Sequence, residues 1–126
     1  MSELLHRELT GRIIAGALEV HRHLGPGLIE SAYRACLARE LRERGLHIDM
    51  ETPIAITYKD LVIEGAYRAD LVVEDKVLVE LKSVEHVMPV HEAQVLTYLK
   101  LTGIRVGMLI NFNRVLLQSG IHRFVR

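Results

Sequence analysis

Arg68-Ala-Asp-Leu-Val-Val-Glu-Asp-Lys-Val-Leu-Val-Glu-Leu-Lys82 is the stretch whose reading decides the fold. Val72, Val73, Val77, Leu78 and Val79 are strand formers, and Glu74-Asp75-Lys76 is the polar break among them. That spacing predicts a β-hairpin of two short antiparallel strands. With Val73 opposite Val77 the register follows by counting: Val72 opposes Leu78, Asp70 opposes Glu80 and Arg68 opposes Lys82. A loop of odd length keeps Asp70 and Glu80 on one face. A two-residue loop, with Glu74 pairing Val77, would put them on opposite faces.

Two carboxylates directly across a strand pair repel by roughly 0.2–1 kcal/mol, and by more when the face is buried. A cation relieves that repulsion. A hard divalent ion such as Mg²⁺ takes oxygen ligands and needs only one or two carboxylates. Lys82 lies two residues beyond Glu80 and points to the same side, where its ammonium could orient or deprotonate a water and offset charge on a phosphate. Taken alone, a Glu-x-Lys on one strand is more often a solvated face with a weak ion pair.

The remaining chain reads as support for this hairpin. At 126 residues, 49% hydrophobic and 25% charged, it is expected to form one domain spanning residues 1–126, with a real core and no disorder. Lys plus Arg and Asp plus Glu both number 16, so no global positive field draws the chain onto nucleic acid. A polyanion would have to be met by a local basic rim or through a metal. The single cysteine, Cys36, rules out an internal disulfide and a Cys-based zinc cluster, and its Ala and Leu neighbours suggest core filler. No apolar run approaches twenty residues and no signal peptide is evident, so a cytoplasmic location is expected.

Apolar residues at Leu5, Leu9, Ile13, Ala17, Val20 and Leu24 predict a long amphipathic helix from about Glu3, ended by Gly25-Pro26-Gly27. A second helix, from about Leu28 to Arg44, carries Glu30, Tyr33, Leu37 and Leu41 on one stripe. Glu30 either meets the free N–H groups of its own first turn or reaches the metal beside Asp70. His21, near the end of the first helix, is a minor candidate for a supporting role.

From His47 to Tyr58 alternation predicts a strand, with Pro53 marking an edge or bulge. Leu61 to Glu64 reads as a further strand, separated by a bend at Gly65 from the central hairpin. A helix starting at Pro89 and stopping at Gly103 aligns His91, Gln94, Tyr98 and Leu101. A Gln amide and a phenol are suited to holding a carboxylate, a water or a phosphate oxygen. Arg105 to Phe112 reads as a buried strand, and Val115–Gln118 and Ile121–Val125 as short closing strands. The order is α-α-β-β-β-β-α-β-β, an α/β (α+β) fold with a mixed sheet flanked by helices.

With these pieces in place the chain resembles the PD-(D/E)XK nuclease superfamily and its restriction-endonuclease-like core. More narrowly it resembles the small GxxExxY proteins, whose motif appears as Gly27-Leu-Ile-Glu30-Ser-Ala-Tyr33. Tyr67-Arg-Ala-Asp-Leu71, Val79-Glu-Leu-Lys82, Gln94-Val-Leu-Thr-Tyr98 and Leu109-Ile-Asn-Phe112 carry the rest of the likeness. The resemblance implies a nuclease dependent on Mg²⁺ or Mn²⁺ and acting on DNA or RNA. It implies Asp70, Glu80, Glu30 and the carbonyl of Leu81 as metal ligands, with Lys82 activating water. Gln94 is implied at the catalytic centre, and Tyr98, Arg68, His21 and Tyr33 in supporting or substrate-binding roles. Ala69 stands where the superfamily usually has Pro. The alternative is a non-catalytic nucleic-acid-binding or assembly module that keeps the scaffold. A homodimer, which would widen the footprint of so small a chain, is expected, and a membrane partner is not.

Overall fold

The computed structural model describes residues 5–126. Two helices, α1 (Arg7–Leu24) and α2 (Glu30–Glu43), precede three strands, β1 (Ile48–Tyr58), β2 (Leu61–Val73) and β3 (Val77–Lys82). Helix α3 (Pro89–Thr102) crosses to β4 (Val106–Asn111), and a 3-10 turn at Leu117–Gly120 leads into β5 (Ile121–Val125). The five strands lie in sequence order, antiparallel except for the parallel pair β3–β4. A parallel pair needs a crossover, and α3 supplies it.

Side-chain alternation divides the core between the two faces. Leu71, Val73, Val77, Val79, Leu81, Val106, Met108 and Ile110 pack with α1 and α2, while Val72, Leu78 and Leu109 pack with α3. β3 and β4 are covered on both sides, which is why their sequences are continuous apolar runs. Gly107 lets α3 come close: a Cβ there would lie 2.8 Å from the Val95 side chain.

The hairpin register is the expected one. Val73 pairs with Val77, Val72 with Leu78 and Leu71 with Val79, around a three-residue turn. Arg68, however, is paired with Pro53 of β1 rather than with Lys82, because the β2–β3 ladder stops at Leu71 and Val79. The strand count also differs. Leu61–Ile63 and Tyr67–Val73 belong to one continuous β2, whose register against β1 shifts across Gly65, so three strands rather than four precede α3. Val115–Gln118 is no strand: Val115 and Leu116 are exposed in a turn, and Leu117 opens the 3-10 turn. Helix α1 begins at Arg7 after His6 in a left-handed conformation, and the expected start near Glu3 lies outside the described residues.

The Gly25–Gly27 turn that separates α1 from α2 is tied down by Tyr33, which is fully buried. Its hydroxyl donates to the Gly25 carbonyl at 2.5 Å and accepts from the Leu28 N–H at 3.1 Å, and its ring stacks on Phe112 at 4.4 Å. Tyr33→Phe keeps the stacking and loses both hydrogen bonds. We expect it to lower stability by about 1–2 kcal/mol in urea denaturation.

Candidate active site

Asp70 sits where β2 loses its regular partners on both sides. Met50 pairs with Leu71 and Thr52 with Ala69, but Glu51, between them, has a left-handed φ of 49° and stands outside the ladder. The alternation slips at the same point, since Ala69 packs in the α3-side cluster together with Val72. On the other side the β2–β3 ladder has ended. Two backbone amides there turn to side chains: the Asp70 N–H donates to Glu80 Oε1 at 3.0 Å, and the Leu81 N–H donates to Asp70 Oδ2 at 2.8 Å. The two carboxylates are thus clasped to each other's strands.

Glu80 is 5% exposed. Burial and, next, the neighbouring Asp70 carboxylate push its carboxyl up to about 8, although the Asp70 amide and Lys82 pull the other way. A buried acid in that state takes either a proton or a cation. Across from it, burial and then the charge of Glu80 raise the Tyr98 phenol above its usual value. Gln94 donates to the Tyr98 oxygen at 2.9 Å, so the phenol keeps its own hydrogen to donate.

Lys82 ends β3, with its carbonyl accepting from the Phe112 N–H at 2.9 Å. Asn111, opposite it on β4, is buried and holds both the N–H and the carbonyl of Val84 through its side chain. The chain leaving the site is thereby pinned. Glu30, the first residue of α2, accepts from the Ser83 N–H at 3.3 Å, and the Ser83 hydroxyl donates to the Leu28 carbonyl. A groove of about 620 Å³ runs between Glu30, Ser31, Ser83 and Asn113.

Asp70, Glu80, Gln94 and Tyr98 therefore form one neighbourhood, with Lys82 and Glu30 at its edge. Among the described residues, Glu30 does not share a common 4.8 Å span with both Asp70 and Glu80. His21 and Tyr33 are engaged elsewhere. The His21 ring nitrogen lies 2.7 Å from the Arg114 carbonyl, bracing the turn after β4. Arg68 is exposed on β2. Cys36 is half-buried against the helix-side core.

Arg34 is a site residue absent from the sequence reading. Its guanidinium donates to Asp70 Oδ1 at 2.8 Å and lies 3.3 Å from Glu51. The signal was its place four residues after Glu30, on the same helical stripe. With Leu81 on one oxygen and Arg34 on the other, both Asp70 oxygens are engaged.

The oxygen-only donor set and the unrelieved buried charge at Glu80 suit a hard divalent cation, once Arg34 gives up its place. A second group could also hold a metal. His47, Asp49 and Asp75 are exposed, and their ligand atoms lie within 4.8 Å of one another. They stand at the opposite end of the central hairpin, beside a turn whose Glu74 and Asp75 both have positive φ.

No helix among the described residues is long and apolar enough to cross a membrane. Comparison with curated proteins and with solved structures finds no match. A family model described as the PD-(D/E)XK nuclease superfamily does match, over residues 7–124, which takes in the clasped carboxylates, β1 to β4 and nearly all of β5. The chain belongs to the PD-(D/E)XK nuclease superfamily.

Proposed function

We propose that the chain is a phosphodiesterase of the GxxExxY group, hydrolysing DNA or RNA with Mg²⁺ or Mn²⁺ held by Asp70, Glu80 and the Leu81 carbonyl, with Glu30 joining them once it leaves the Ser83 N–H. The observation that carries this reading is the buried Glu80 carboxylate clasped to Asp70 and pushed up to about 8. When bound, the ion supplies the concentrated positive charge that a phosphodiester needs as its oxygens gain negative charge.

The protein's own groups do the rest. The Lys82 ammonium donates hydrogen bonds to the attacking water and to the phosphoryl oxygens, stabilising charge as it develops. The Tyr98 hydroxyl, positioned by Gln94 and near enough to feel the Glu80 charge, has its hydrogen free for a water or a phosphoryl oxygen. Substrate enters along the groove beside Glu30 and Ser83, whose polar lining suits a sugar-phosphate chain.

Arg34 favours a second reading. A guanidinium already on Asp70 satisfies part of the charge without any ion, as would suit a scaffold kept for nucleic-acid binding or assembly. Calorimetry with Mn²⁺ tests the metal site. Asp70→Ala and Glu80→Ala should abolish binding, and Arg34→Gln should tighten it about tenfold by removing a competing positive charge. If the heat of binding instead disappears in Asp49→Ala or Asp75→Ala, the ion belongs to the exposed group and the active-site reading fails.

A further inference from the structure

The outer half of the β1–β2 hairpin carries more apolar surface than the fold uses. β3 pairs with β2 only from Leu71 to Val73, and Leu61 to Arg68 are exposed without a break. The cross-strand pairs Ile54/Tyr67, Ile56/Ile63 and Tyr58/Leu61 fall on one face. They make an apolar stripe of three rungs. At the innermost rung Ile54 is buried in the α3-side core, while the Tyr67 ring meets Tyr98 at 5.9 Å and keeps 47% of its surface exposed. Outward from there the stripe runs into solvent, with Ile63 44%, Leu61 55% and Tyr58 63% exposed. A two-stranded ribbon with a bare apolar face is marginal in water and asks for a cover.

We infer that this face is a self-association surface, on which the ribbon of a second copy of the chain packs stripe to stripe. Charge argues for a protein partner over a phosphate backbone. Lys59 and Arg68 are balanced by Asp60 and Glu64 along the same ribbon, and a strand that reads phosphate needs net positive charge. Such balance also lets two identical ribbons meet without a like-charge clash. Pro53 on the free edge of β1 has no N–H to donate, which disfavours edge-to-edge addition and leaves the face as the contact. Area agrees with a modest dimer. The stripe offers roughly 450 Å² per copy, and with its rim a pair buries about 1,000 Å², near the lower bound for a specific contact. A two-fold arrangement uses the same patch on both copies and closes.

Sedimentation velocity of the full chain tests this without reference to catalysis, so its failure leaves the proposed activity standing. The wild type should sediment as a dimer at about 100 μM. Leu61→Glu/Ile63→Glu should be monomeric with an unchanged circular dichroism spectrum, both positions being exposed, and should melt with the wild type when both are diluted until the wild type is monomeric. Mixing it with Leu61→Lys/Ile63→Lys, itself monomeric, should restore a dimer. A wild type that stays monomeric, or a Glu variant that dimerises as well as the wild type, overturns the inference. So does a monomeric wild type whose binding of labelled single-stranded DNA is lost in the Glu variant, which would give the stripe to bases instead.

Discussion

Lys82→Ala is expected to lower cleavage of labelled DNA or RNA about 10²–10³-fold while leaving the Mn²⁺ isotherm close to that of the wild type. Asp70→Ala and Glu80→Ala should remove cleavage and metal binding together. The contrast follows from where the groups sit. Glu80 is locked across the strands by the Asp70 amide and Asp70 by the Leu81 amide, whereas Lys82 stands at the last residue of β3 with its backbone fixed by Phe112 and Asn111. Its ammonium can therefore act on substrate without being needed to hold an ion. Parallel assays on single-stranded DNA, duplex DNA and RNA identify the substrate in the same experiment. Cleavage that is unchanged in Lys82→Ala would remove the lysine from the chemistry, and a wild type that binds Mn²⁺ yet cuts none of the three substrates would favour the binding-module reading.

The central hairpin was legible because its constraint is local. Strand formers flanking one polar triplet admit few registers, and the paired residues Val73 and Val77 then carry Asp70 to Glu80. What alternation could not express is the slip at Asp70. Period-two reasoning places Arg68 opposite Lys82, but the ladder ends one residue short of the acids and Glu51 kinks β1 beside them. The site exists because regular pairing fails there, and its amides are satisfied by carboxylates in place of carbonyls. Arg34 was hidden for a related reason. A charged residue on a helix reads as solvent-facing until the neighbouring strand is known to present an acid, and only the fold brings α2 over β2. The turn at Val115 and Leu116 misled in the opposite way. Two apolar residues suggest a strand, yet both are exposed, and the chain turns before β5 pairs with β4.

Glu80→Gln should stabilise the metal-free protein at high pH while removing its metal site. The sign follows from the shift of the carboxyl from 4.5 to about 8 on folding. Below 4.5 both folded and unfolded chains hold the proton, and the acid causes no pH dependence. Between there and about 8 the folded chain holds one proton more than the unfolded one, so stability falls as pH rises. Above about 8 the full cost of a buried carboxylate beside Asp70 is present, on the order of a few kcal/mol. A neutral amide can still accept from the Asp70 N–H and carries none of that cost. Melting curves in a chelator from pH 5 to 9 should therefore converge at the acid end and separate toward the alkaline end, the variant ending about 10 °C higher. The two proteins differ only at residue 80, so the difference between the curves reports the Glu80 carboxyl. Mn²⁺ should raise the wild-type curve at pH 8 and leave the variant where it was, because an ion that binds only the folded site adds stability only where the site exists. Curves that run parallel across the whole range would mean that Glu80 is not the strained acid its burial makes it, and with that the demand for a cation between β2 and β3 would disappear.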